Sequence, residues 1–220
     1  IAHGNQARWG FSHSADGIDG DSYRGKIAIG PLQLDLQARL ARDLDRVAVI
    51  SRFQRCDEGQ YHELALVAVA ARDLLQAVDS IMARVAYRPI RTHGDCHRGN
   101  ILWRDDTPNF VDLDDARMAP AIQDVWMLLS GDRHSRIAQL SEVVDGYNEF
   151  FDFETTQLQL IEPLRTLRMM HYCAWVASRW DDPAFPRAFP WFNTERYWGE
   201  HILELREQMA ILNEAPLELM

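Results

Sequence analysis

Apolar residues recur at helical spacing over most of the chain. Between Leu32 and Phe53 they lie three and four residues apart, which predicts an amphipathic helix. The segment 60–86 is apolar on more than one face and predicts a central, buried helix that ends at 87–89, because proline disfavours helix at the residue before it. The same spacing predicts further helices at about 121–130, 135–151, 155–179 and 194–212.

Three other segments depart from this helical spacing. The apolar runs Ile101–Trp103 and Phe110–Leu113 flank a turn-forming Asp-Asp-Thr-Pro sequence, which predicts a β-hairpin. Residues 181–192 hold three prolines among aromatic residues and predict an irregular loop or packing arm, not a helix. Residues 12–30, rich in Gly, Ser and Asp, predict a loop. The predicted fold class is therefore α+β, mostly α-helical, with one small β-hairpin.

Composition narrows the class of protein. The chain has 220 residues, of which 47% are hydrophobic, and a net charge of −10 that argues against a primary role in nucleic-acid binding. Its three cysteines are widely spaced, which predicts a reducing compartment and so a cytoplasmic protein. No apolar run predicts membrane insertion, and the start lacks the apolar core of a signal peptide. Because there is no initiator Met, we expect the later part of a longer protein.

The stretch "THGDCHRGNILW" concentrates the chemistry of the chain, and it supports three interpretations. His93 and His97 could share a zinc ion on a helix, but the glycines beside them disfavour helix and no further Cys/His pair follows. Cys96 beside His97 could be an activated thiol. Because neighbours in a chain tend to point apart, a small loop residue is the favoured interpretation of Cys96.

The third interpretation is a phosphoryl-transfer site. Such a site needs a carboxylate that accepts the proton of the attacking hydroxyl, and oxygen ligands for Mg²⁺. Asp95 followed five residues later by Asn100 supplies the carboxylate and one ligand, and a hairpin would bring Asp112 close to Asn100. The pattern matches the kinase signature H-x-D-x-x-x-x-N followed by a metal-binding Asp.

Beyond the short signature, "HGDCHRGNILWRDD" and "FVDLDDARMAPAIQDVWMLLSGD" resemble the aminoglycoside phosphotransferase/choline kinase-like branch of the kinase fold. The similarity is greatest to its stress response kinase A group of serine/threonine protein kinases. It extends to "AHGNQARWGF", "IEPLRTLRMMHYCAW" and "RWDDPAFPRAFPW", and so covers most of the chain. The resemblance implies a kinase-like C-terminal lobe over 1–220, with a catalytic loop at 93–100 and a metal-binding hairpin at 100–115.

The resemblance also implies roles for individual residues. Asp95 becomes the catalytic base, while Asn100 and Asp112 bind Mg²⁺ and through it the nucleotide, with Asp112 counted as catalytic too. His93 supports the loop backbone. Asp124 is the carboxylate that accepts hydrogen bonds from the loop.

Two features depart from the protein-kinase pattern. Asp114 and Asp115 stand where such kinases have the glycine after the metal-binding Asp. Asp114 is counted as a supporting residue, and whether it also contacts the metal is open. No glycine-rich strand-turn-strand pattern precedes His93; "GIDGDSYRGK" contains Lys26 but not that pattern. We therefore expect that the ATP-gripping N-terminal lobe is absent from this chain and that the chain alone is inactive.

The expected function is ATP- and Mg²⁺-dependent transfer of a phosphoryl group to Ser or Thr of a protein, in a stress response, by a monomeric cytoplasmic enzyme. The expected partners are ATP and the protein substrate, without nucleic acid. One alternative is a kinase of small hydroxyl compounds of the aminoglycoside, choline or homoserine type. The other is a non-catalytic pseudokinase or binding module. His97 is left between a substrate contact and a plain loop residue, and Cys173 is expected in the core.

Overall fold

A computed structural model describes the backbone of residues 58–220, with side chains at residue 67 and from residue 69 onwards. The described chain is mostly helical, with two small antiparallel sheets of two strands each, which confirms the predicted α+β, mostly helical class. The predicted helix at Leu32–Phe53 and the predicted loop at 12–30 lie outside the described residues. None of the helices within 58–220 is long and apolar enough to cross a membrane.

The elements follow one another with short connections. The helices are α1 (Glu58–Met82), α2 (Ile122–Val125), α3 (Arg133–Asn148), α4 (Ile161–Ser178), α5 (Ala184–Ala188) and α6 (Glu195–Ile211). The strands are β1 (Ile90–Thr92), β2 (Ile101–Arg104), β3 (Thr107–Phe110) and β4 (Arg117–Ala119), and 3-10 turns occupy Arg98–Asn100, Trp126–Leu128 and Thr155–Leu160. The described residues form two compact units, one of 87–155 with 217–220 and the other of 58–86 with 156–216.

The second of these units is a helical bundle in which α1 packs against α4 and α6. The described part of α1 buries one stripe at helical spacing, consisting of Val67, Ala71, Leu74, Val78 and Met82. Its other faces meet solvent, and Val69 is 51% exposed. The prediction of a helix buried on several faces is therefore wrong for these side chains.

Helix α1 also ends earlier than predicted. Its last residue is Met82, and the N–H of Arg84 donates to the carbonyl of Ile81 at 3.0 Å, a three-residue step that tightens the final turn. Proline at 89 is thus not what ends the helix. Of the other helices predicted within 58–220, those at 135–151 and 194–212 form as α3 and α6, within three residues of their predicted ends. The 155–179 segment opens on a 3-10 turn before α4, and 121–130 forms only the four-residue helix α2 followed by a 3-10 turn.

The proline-rich segment contains a short helix, α5, so the prediction that 181–192 is not helical is wrong at Ala184–Ala188. Pro183 occupies the N-cap position of this helix and Pro186 lies in its first turn, where the missing N–H costs little because those N–H groups have no partner within a helix. The ring of Trp175 on α4 packs against Phe185 and Phe189, with centroids 5.3 and 6.0 Å away. Aromatic packing thus orders the segment.

The first unit holds both sheets. Strand β1 pairs with β4, placing Ile90 opposite Ala119 and Thr92 opposite Arg117. These strands were not predicted, because three residues are too few to show alternation. Their pairing places the residues after Thr92 next to the start of α2.

The predicted hairpin forms from β2 and β3, with Ile101 opposite Phe110. The second strand was predicted at 110–113, but it runs over Thr107–Phe110 because the turn consists only of Asp105 and Asp106. Their φ values of 50° and 56° are the left-handed angles of a two-residue hairpin turn, which Asp tolerates better than most residues. The chain therefore leaves the sheet before Asp112, not after it.

Candidate active site

The segment 93–100 forms a loop between β1 and β2, and its two ends are fixed by the sheets. Thr92, the last residue of β1, is buried, and its Oγ1 donates to the carbonyl of Arg117 at 3.0 Å. At the other end, Asn100 closes the 3-10 turn from which β2 starts. The loop is therefore held between the two sheets.

Asp124, in the short helix α2, anchors the start of the loop. Its Oδ2 accepts a hydrogen bond from the N–H of His93 at 2.6 Å, and its Oδ1 accepts one from the N–H of Gly94 at 2.9 Å. The adjacent Gln123 donates from Nε2 to the carbonyl of Gly94 at 2.8 Å. Sequence reasoning missed Gln123, since a glutamine near a helix start is ordinary. The two side chains fix the backbone of His93 and Gly94.

Gly94 adopts a backbone conformation that side chains rarely accept. Its φ is +86°, and a Cβ atom there would lie 2.1 Å from the carbonyl oxygen of Asp115. Glycine is required both for the angle and for this close approach. The approach brings the loop against the segment that follows the hairpin.

His93 connects the loop to the far end of the hairpin. Its Nδ1 accepts from the N–H of Asp95 at 3.4 Å, so the proton of the neutral ring lies on Nε2, which donates to the carbonyl of Val111 at 2.8 Å. The ring nitrogens are therefore engaged by the backbone and not directed at a shared zinc. Because Val111 directly precedes Asp112, His93 holds that aspartate near the loop.

Asn100 is buried and lies at the base of the hairpin. Its Nδ2 donates to the carbonyl of Asp95 at 3.0 Å, and its own carbonyl accepts from the N–H of Val111 at 3.0 Å. With Nδ2 fixed in this way, Oδ1 is the side-chain atom of Asn100 suited to bind a cation. Val111 thus bonds to both His93 and Asn100, and Asp112 follows at once.

The aspartates after the hairpin are exposed. Asp112 has a φ of 64°, which directs the chain sharply away from β3. Asp114 lies in the turn closed by the N–H of Ala116 and the carbonyl of Leu113 at 3.0 Å. Asp115 pairs with Arg117, with a carboxylate–guanidinium distance of 3.1 Å.

Asp95 lies at the turn of the loop, and its side chain is only 19% exposed. Its Oδ2 lies 3.5 Å from Nε2 of His97. The neighbouring Cys96 is buried, and burial together with the negative charges of Asp124 and Asp95 raises the pKa of its thiol to about 11. The thiol therefore stays protonated near neutral pH and is not an activated nucleophile.

The donor set fits Mg²⁺. This ion binds through one or two carboxylates or amide oxygens and keeps waters and phosphate oxygens as its other ligands. Asp112 offers a carboxylate and Asn100 an amide oxygen at the same end of the hairpin. Within residues 58–220, no group of three or more His, Cys, Asp or Glu side chains is arranged to hold a metal. The Asn100–Asp112 pair would thus leave most of the coordination to the nucleotide and water.

Comparison with known proteins identifies a phosphotransferase family. The model of the phosphotransferase enzyme family matches residues 25–160. Stress response kinase A of Escherichia coli O157:H7 is 50% identical over 151 residues, which are 66% of this chain and 46% of that protein. The serine/threonine protein kinase RdoA of Salmonella typhimurium (strain LT2) is 49% identical over the same length and the same shares. The chain spans about half the length of the curated relatives it matches.

Proposed function

Because the chain belongs to the phosphotransferase enzyme family, we propose that it carries the reaction loop of an ATP- and Mg²⁺-dependent kinase of Ser and Thr on protein. In this proposal it is a kinase-like C-terminal lobe, with the catalytic loop at 93–100 and the metal-binding hairpin at 100–115. The observation that carries the proposal is the bond between the carbonyl of Asn100 and the N–H of Val111. It supports a single site built from Asp95, Asn100 and Asp112.

Asp95 is the group that handles the proton. As the substrate hydroxyl oxygen attacks the γ-phosphorus, the bond from that phosphorus to the bridging oxygen breaks, and ADP leaves with the electron pair. The hydroxyl proton passes to the carboxylate of Asp95. The partial burial of Asp95 and the hydrogen bond from Asn100 to its carbonyl support this role, since a base must be held in one position.

Asn100 and Asp112 are the residues that would hold Mg²⁺. Held there, the ion would supply positive charge that neutralises the phosphates. His93, Gln123 and Asp124 do no chemistry in this scheme, and they fix the loop backbone so that Asp95 and Asn100 keep their relative positions. Asp114 is exposed beside Asp112, which is compatible with a supporting position.

The names of the relatives support a protein as the acceptor. One relative is named a serine/threonine protein kinase and another a stress response kinase, and we extend both descriptions to this chain as a proposal. The cytoplasm is the proposed compartment. The glycine-rich loop and the Lys–Glu pair that grip ATP would come from a part of the full-length protein outside this chain, which its coverage of about half of each relative supports.

An acceptor assay on the full-length protein tests the proposal. The protein is supplied with Mg²⁺ and ATP labelled at the γ-phosphate, together with either a mixed protein acceptor or a panel of aminoglycoside, choline and homoserine compounds. We expect label on Ser and Thr of protein. Label on a small compound without label on protein would contradict the protein acceptor, and label on neither would favour a binding module.

A further inference from the structure

His97 has a different partner at each ring nitrogen. It caps the 3-10 turn Arg98–Asn100, with Nδ1 accepting a hydrogen bond from the N–H of Gly99 at 3.0 Å. An accepting Nδ1 carries no proton, so the neutral ring carries its proton on Nε2. Nε2 lies 3.5 Å from Oδ2 of Asp95. The cap therefore selects the tautomer that presents an N–H to the carboxylate.

The backbone holds His97 as firmly as the cap holds its ring. The N–H of His97 donates to the carbonyl of Asp95 at 2.9 Å, and its own carbonyl accepts from the N–H of Asn100 at 2.9 Å. The side chains of His97 and Asp95 are 25% and 19% exposed, so most of each is withdrawn from water. The contact is therefore part of the loop structure, and water only partly screens it.

A base carboxylate works best when its plane is fixed before the substrate arrives. An N–H facing Oδ2 restricts rotation about the bond to the carboxylate and so sets the direction in which Oδ1 faces. Apo contacts of this kind are often long and tighten when substrate is bound. A distance of 3.5 Å is consistent with a contact that shortens during the reaction.

We propose that His97 is a positioning residue that orients the carboxylate of Asp95 through its Nε2–H. The inference rests on the proposed function, in which Asp95 accepts the hydroxyl proton. It assigns His97 no contact with ATP or with the transferred phosphate. Loss of the contact should therefore lower kcat and leave the KM for ATP unchanged.

Two variants of the full-length protein separate positioning from capping. In His97→Asn, the amide oxygen takes the place of Nδ1 and can still accept from Gly99, but no atom replaces Nε2. In His97→Gln, the amide nitrogen can reach the position of Nε2, but the cap to Gly99 is lost. The exposed His134 on α3 gives a matched control, His134→Asn, outside the site.

We expect His97→Asn to lower kcat by roughly 10- to 100-fold, with the KM for ATP and the melting temperature close to wild type. His97→Gln should recover part of kcat while melting at a lower temperature, because the cap is missing. His134→Asn should leave kcat unchanged. A wild-type kcat in His97→Asn would overturn the inference, as would a loss of kcat in that variant that is matched by a loss of stability.

Asp95→Asn in the same assay separates this inference from the proposed function. If Asp95→Asn is inactive and His97→Asn is fully active, only the role of His97 is contradicted. If Asp95→Asn retains wild-type activity, or the wild-type protein transfers no phosphoryl group, the proposed function fails and the inference fails with it. Weak activity in both variants supports both.

Discussion

At the level of single residues, Gly94 has almost no room for a side chain. Its φ of +86° disfavours any Cβ, and the carbonyl oxygen of Asp115 would lie 2.1 Å from that atom. Asp124 accepts from the N–H of Gly94 and Gln123 donates to its carbonyl, so the residue cannot shift without losing these hydrogen bonds. Steric fit and hydrogen bonding therefore enforce one loop conformation.

Gly94→Ala should lower the free energy of unfolding by about 2–4 kcal/mol, because both the left-handed angle and the contact are costly. Chemical denaturation measures the change. Gly146→Ala is the matched control, since Gly146 lies in α3 with nothing within 4 Å of its Cβ position. The control should gain up to about 1 kcal/mol. Equal effects of the two substitutions would contradict this account of Gly94.

Asp112 has a left-handed backbone conformation, and its side chain is a proposed metal ligand. Two substitutions separate these two properties. Its φ is 64°, an angle that Asn accepts nearly as well as Asp but that costs Ala about 1–2 kcal/mol. Asp112→Asn should keep the stability of the protein and lose most of the Mg²⁺ dependence of nucleotide binding, whereas Asp112→Ala should lose both. Titration of Mg²⁺ and thermal melting give the two readouts. Wild-type Mg²⁺ affinity in both variants would exclude Asp112 as a ligand.

At the scale of elements, the pairing of α4 with α6 encloses a buried polar cluster. His201 on α6 is 4% exposed, and its Nδ1 lies 3.5 Å from Oε2 of Glu204. Burial alone would lower the pKa of His201, but its interactions with the buried Cys173 on α4 and with Glu204 raise the pKa to about 9. The ring of Tyr197 stacks on the imidazole with a centroid distance of 5.6 Å. The cluster favours a protonated His201.

This cluster should make stability depend on pH. Since the pKa of His201 rises from 6.5 in the unfolded chain to about 9 in the folded protein, its contribution is complete below pH 6.5 and is lost as pH rises through 9. The loss should amount to about 3 kcal/mol. Denaturation curves at several pH values measure it, and Cys173→Ala, which removes the larger of the two raising causes, should flatten the difference more than Glu204→Gln. A wild-type protein that is equally stable at pH 6.5 and 9, or the wild-type slope in Cys173→Ala, would contradict this account.

Helices and strands differ in how far sequence anticipates them. The predicted bounds of α3 and α6 are close to the observed ones. Both helices also begin at capping residues that fix their starts: Asp132 accepts from the N–H of Ser135, and Thr194 accepts from the N–H of Tyr197. Helix α5 could not be anticipated, since proline is unfavourable within a helix and only its place in the first turn makes it acceptable. Strand β3 begins earlier than predicted because Asp105 and Asp106 form a left-handed two-residue turn, which their residue types alone do not indicate.

For the molecule as a whole, the residue spacing of the signature shows where the candidate site lies in the sequence. It does not predict the contacts that bring the site residues together. The interval from Asp95 to Asn100 is local, so the signature shows it directly. Two other contacts of the site are the hydrogen bond from Gln123 to the carbonyl of Gly94 and the one from His93 to the carbonyl of Val111. They depend on the pairing of β1 with β4 and on the register of the hairpin, which cannot be predicted from strands this short. Long-range contacts of this kind are set by tertiary structure and not by residue type.

The proposed function divides ATP binding between this chain and the rest of the full-length protein. The 220-residue chain spans about half the length of the curated relatives it matches. In the proposed function the groups that grip the phosphates belong to the rest of the full-length protein, so we expect this chain to bind ATP at least 100-fold more weakly than that protein. Calorimetric titration of both proteins with ATP and Mg²⁺ measures the ratio. Equal affinities would show that this chain contains the nucleotide site by itself.

The role of Asp95 as the base of a phosphoryl-transfer site is tested by the rate at which full-length Asp95→Asn phosphorylates a protein acceptor. The expected result is a loss of kcat of about 10²–10⁴-fold. Asp106→Asn is the control, because Asp106 is an exposed carboxylate in the turn of the hairpin, at the end opposite Asn100 and Asp112, with a φ of 56° that Asn also accepts; it should retain wild-type kcat. A wild-type rate in Asp95→Asn, or an equal loss in Asp106→Asn, would contradict the account.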